Sequence, residues 1–143
     1  MTRLKGMGRD THRIILTAVV VLHLLVSLVH GWAHGTAGVG GNGPSMAFVL
    51  IIIIAGPLVG LAWMWKNAVA GARIIGVTMA ASLVFGLVNH FIIASPDRVD
   101  YVVAHARTLF EVTAVMLVLS EAAGAVLGFS YGRSRRTEPS YIS

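Results

Sequence analysis

The residues with most chemistry to offer are histidines: the chain of 143 residues holds six of them and no cysteine. Four, His30, His34, His90 and His105, are candidate ligands. His30 and His34 are spaced to present two imidazoles from successive turns of one helix face. Imidazole suits zinc, copper and iron, and four such groups would make a closed site, three a site with an open position. Histidine is equally a common axial ligand of haem. The cofactor expected is therefore a transition metal (Zn, Cu or Fe) or haem b, and spacing does not choose between them. Asp97 and Asp100 lie between His90 and His105, where a carboxylate serves as oxygen ligand or fixes an imidazole tautomer. The lack of cysteine excludes thiolate sites, disulfides and a cysteine nucleophile.

What must position these side chains is set by composition. The chain is 56% hydrophobic and only 12% charged, and residues 14 to 65 contain no Asp, Glu, Lys or Arg. Such a stretch has no wet face, so lipid is its solvent. A hydrocarbon core of about 30 Å takes about 20 helical residues. Four segments meet that length: Ile14 to Trp32, Met46 to Trp65, Arg73 to Ala94 and Arg107 to Phe129. The fold class expected is an all-α integral membrane protein, a bundle of four transmembrane helices. It divides into a basic N-terminus at 1–13, one transmembrane domain at 14–131 and a basic, polar tail at 132–143.

The formal net charge of +5 does not point to nucleic acid. Its basic residues cluster at the N-terminus, at Lys66 and Arg73, and at Arg133, Arg135 and Arg136, flanking apolar spans as topology signals do. The loops at 33–45 and 95–106 carry only Arg98. This bias predicts a multi-pass protein of the plasma (inner) membrane with both termini cytoplasmic and His30, His34, His90 and His105 at the extracytoplasmic face. The partners expected are the lipid bilayer and either further copies of the chain or a larger membrane complex.

Two further patterns shape the expectation. Residues 55–63, AGPLVGLAW, match residues 123–131, AGAVLGFSY, at three identical positions, so helices 1–2 and 3–4 read as a parallel duplication of a helical hairpin. Each copy carries a Gly-x-x-x-Gly, Gly56 with Gly60 and Gly124 with Gly128, a spacing that lets backbones approach closely in lipid. The second pattern is polar. His23, Ser27, His30 and His34 share one stripe of the first helix, and Ser82, Gly86 and His90 share one on the third. Glu121 enters the fourth helix at nearly the depth of His23, which predicts that the two meet inside the bundle, because an ionisable group there needs a partner. Glu111, four residues after Arg107, reads either as an ordinary helix ion pair with it or as a neighbour of the histidine cluster.

The function these residues favour is a small membrane protein that binds a metal or b-type haem as a redox or binding subunit. Three alternatives stay open. One is a proton-coupled transporter or channel component using His23 and Glu121. Another is an intramembrane enzyme acting on a lipid-like substrate through metal-bound water, with Ser27, Ser82 and Thr113 as its nucleophile-type residues. The last is an assembly subunit without chemistry.

Overall fold

The computed structural model describes residues 2–133, with no strand among them. The tail predicted at 132–143 lies almost wholly outside that range. Four helices are long and apolar enough to cross a membrane: α1 (Thr2–Ala37), α2 (Gly43–Met64), α3 (Ala68–Ile92) and α4 (Ala104–Arg133). All four predicted spans are present, and each helix runs beyond the predicted apolar segment at one end or both. Hydropathy marks where lipid would stop, whereas the backbone continues helical until a cap or a glycine ends it. Asn42 and Asn67 supply two such starts, their side-chain oxygens accepting from the amides of Ser45 and Ala70 at 2.9 and 3.0 Å. At the other end of α1, Gly38 closes the helix with a φ of 67°, the left-handed geometry that favours glycine.

The helices pack as a chain of neighbours, α2 against α3, α3 against α4 and α4 against α1. Glycine makes the first two seams close. A methyl group placed on Gly60 would lie 3.0 Å from the Gly71 carbonyl oxygen, and one on Gly128 would lie 2.6 Å from the Ala72 carbonyl oxygen. Gly124 leaves room for Met79 in the same way, and Gly56 for Thr78. By contrast α1 and α2, though consecutive, touch at few points. Arg13 joins them near the termini, donating to the Met64 carbonyl at 3.2 Å and lying over the Trp65 ring.

The core divides in two along the bundle. Toward the termini, Leu16, Val20, Ala72, Ile75, Met79 and Ala125 form an apolar plug. Toward the other end, which we call the histidine end, Ala33, Ala37, Val102 and Ala106 pack around a fully buried Phe110. Leu25, Leu28, Leu50, Ile51, Leu119 and Val126 face outward, as an exterior solvated by lipid requires.

Two stretches depart from α-helical winding. Val49–Ala55 in α2 and Val88–Ile92 in α3 are π-helical. Pro57 bears on the first. It has no N–H to offer the carbonyl four residues earlier, that of Ile53, and the ring of His23 donates to that carbonyl instead.

Candidate metal centre

His30 and His34 lie on α1 one turn apart, and His90 sits in the π-helical turn that ends α3. One ring nitrogen from each of the three lies within 4.8 Å of the others. The rings stand edge to face or tilted, with centroids 4.7 Å apart for His30 and His34, 4.9 Å for His30 and His90, and 5.5 Å for His34 and His90. Phe110 closes one side, its ring against all three imidazoles.

Hydrogen bonds orient two of the three rings. The Nδ1–H of His90 donates to the Asp97 carbonyl at 2.9 Å, since a carbonyl only accepts, so neutral His90 carries its lone pair on Nε2. That atom lies 3.2 Å from Nε2 of His30. Nδ1 of His30 meets the Thr113 hydroxyl at 2.8 Å, and that hydroxyl also lies 2.7 Å from the Leu109 carbonyl. The Thr113 rotor therefore supports two arrangements. When it donates to Nδ1, the His30 Nε2–H donates to His90. When it donates to Leu109, it accepts from the His30 Nδ1–H, and two Nε2 lone pairs face one another at the distance a cation between them would need. His34 differs, its Nδ1 lying 3.7 Å from a buried Asp97 oxygen that has no hydrogen-bond partner. Metal-bound histidines usually hydrogen-bond through their second nitrogen, as His30 and His90 do here.

The spacing decides how much the site must adjust. Zinc–nitrogen bonds of about 2.0–2.1 Å in a tetrahedron place neighbouring ligand nitrogens roughly 3.3 Å apart. The His30–His90 pair already has that separation. His34, the most exposed of the three rings, would have to close the remainder.

Beside the triad runs a cavity of about 330 Å³ between α1 and α2, reaching down α4 to Glu121. At its base His23 donates through Nε2 to the Ile53 carbonyl at 3.1 Å, and its Nδ1 lies 3.9 Å from a Glu121 carboxylate oxygen. Both residues are buried, and His23 Nδ1 and Glu121 Oε2 have no hydrogen-bond partner.

The other expected site residues fall elsewhere. His105 is outside the triad, donating through Nε2 to the Thr36 carbonyl at 3.2 Å in an exposed position. Asp100 turns outward to Arg98, whose guanidinium bonds both carboxylate oxygens and holds the carboxyl below its ordinary range. Asp97 stays beside the triad, through both its carbonyl and its carboxylate. Glu111 is exposed on α4, and Arg107 directs its guanidinium to the carbonyls of Asp100 and Val102. Ser27 lines the cavity with its hydroxyl donating to the His23 carbonyl.

Two residues gain roles that the sequence did not assign. Thr113 orients His30, and Phe110 backs the triad. Their three-residue spacing on α4 puts them on one face, but only the packing of α4 against α1 turns that face toward the histidines. The chain matches no protein family, no curated protein and no solved structure.

Proposed function

We propose that this chain is a multi-pass membrane protein that binds one transition-metal ion on His30, His34 and His90 and leaves a coordination position open toward the cavity. The observation that carries this reading is the convergence of three imidazoles, two of them with Nδ1 hydrogen-bonded and Nε2 turned inward. Neutral nitrogen donors without thiolate suit zinc, copper or iron. With the basic clusters on the cytoplasmic side, the metal faces the extracytoplasmic surface. The role is that of a binding or redox subunit, according to the ion.

An ion is favoured over haem. A porphyrin held between His30 and His90 needs a flat slot separating the rings, and these rings stand at 81° with Phe110 against both. A conducting path is disfavoured by the apolar plug of Leu16, Val20, Ile75 and Met79 between Glu121 and the termini.

Elemental analysis of detergent-purified protein tests the proposal. One zinc, copper or iron per chain is expected, falling below one tenth in His30→Ala and His90→Ala variants that keep helical content and a monodisperse elution. Equal metal in the parent and in both folded variants would refute the site.

A further inference from the structure

The cavity beside the triad has an uneven chemistry along its length. Between the imidazoles and Glu121 its walls are largely apolar, Phe85, Ala114, Leu117 and Val118 among them, and the hydroxyl of Ser82 and the amide of Asn89 donate to the Thr78 and Phe85 carbonyls, each at 2.8 Å. Among the described residues that line it, the buried side-chain oxygens without a hydrogen-bond partner are those of Asp97, beside the imidazoles, and of Glu121. Glu121 is 2% exposed, and its Oε2, without a partner, borders the same cavity. Gly86 keeps that end open, since a methyl there would come within 3.7 Å of Oε2.

Access and size follow from the helices. Gly31 and Gly35 line the cavity on α1, and a methyl group added to either would meet nothing within 4 Å. The mouth therefore lies in the loosely packed seam between α1 and α2, on the side that faces lipid. Thr113, bonded to His30, and Glu121 are eight residues apart on α4, so the two polar ends are roughly 12 Å apart at about 1.5 Å per residue. A volume of 330 Å³ is at the small end for a ligand site.

From these features we infer that the cavity binds a slender, lipid-soluble molecule with an oxygen donor at each end, one on the metal and one on Glu121, entering between α1 and α2. The metal-bound half of this inference rests on the metal site proposed above. The Glu121 half does not. Burial of a carboxyl oxygen without a hydrogen-bond partner is costly, and a ligand hydroxyl donating to Oε2 would relieve it.

The test uses cobalt-loaded protein in lipid nanodiscs and three hydroxamic acids, read by the cobalt absorption band. Octanohydroxamic acid, its ω-hydroxy derivative and acetohydroxamic acid share a chelating head and differ in body and distal group. The ω-hydroxy compound is expected to bind at least tenfold more tightly than octanohydroxamic acid, and Glu121→Leu to remove that preference. Gly31→Leu, which puts a side chain into the mouth, is expected to weaken both long probes tenfold and to spare the short one. Equal binding of the two long probes to the parent protein, or no effect of Gly31→Leu, overturns the inference. If the protein takes up no cobalt, the metal proposal fails alone. The ω-hydroxy and plain probes are then compared by thermal shift of the metal-free protein, where a Glu121-dependent preference sustains the cavity reading and its absence overturns it.

Discussion

The seam between α3 and α4 and the seam between α1 and α2 use glycine to opposite ends. Gly76 and Gly128 bring two backbones together, with a methyl on Gly128 only 2.6 Å from the Gly76 amide nitrogen. Gly31 and Gly35, spaced by four residues as Gly124 and Gly128 are, hold space open. Spacing of small residues therefore marks a face without saying whether another helix fills it. What separates the two cases is the neighbour: α4 lies along α3 for most of its length, whereas α2 bends from α-helical winding at Val49–Ala55 and meets α1 at only a few points. The two hairpins that the sequence pairs as a duplication, α1–α2 and α3–α4, differ in how closely their helices pack.

The comparison can be broken most directly at its glycines. Gly128→Leu should destabilise the protein by about 3 kcal/mol, measured by unfolding in mixed micelles, because the new side chain meets backbone that has nowhere to go. Gly31→Leu should shift stability by less than about 0.5 kcal/mol in the same assay. Comparable losses at both sites would show that the α1–α2 seam is as closed as its counterpart.

The contact between α1 and α4 at the base of the cavity gives the next effect. A double-mutant cycle of His23→Leu and Glu121→Leu should return a coupling of about 1 kcal/mol, as neighbours sharing a buried polar contact do. Strict additivity would separate the two residues. At the histidine end, Thr113→Val keeps shape and removes the hydroxyl that orients His30, and metal affinity should fall about 10- to 100-fold. Thr113→Ser should restore most of it. The smallest change is expected from Asp100→Asn, since Asp100 pairs outward with Arg98, and metal content should stay at the parent level. A loss there would bring Asp100 back among the ligands.

Much of this was legible in the residues. The charge-free run from 14 to 65 marks the first two helices as long and apolar enough to cross a membrane, and the four helices follow from length and hydropathy alone. The stripe from His23 to His34 is a consequence of helical periodicity, so the pairing of His30 with His34 needed no tertiary information. His90 was reachable because the stripe of α3 ends on it. The exclusion of His105 was not, because it depends on where the chain turns between 93 and 104, and there its ring meets the Thr36 carbonyl instead of the triad.

The sequence by itself determined the apolar character and number of the helices and which histidines share a face, because those depend on composition and on a period internal to each helix. Only the tertiary structure decided that three imidazoles converge, that Thr113 and Phe110 hold them, and that a cavity opens beside them to Glu121. Those features depend on which helices become neighbours and how closely, a choice made by backbone contacts across seams that no single helix encodes.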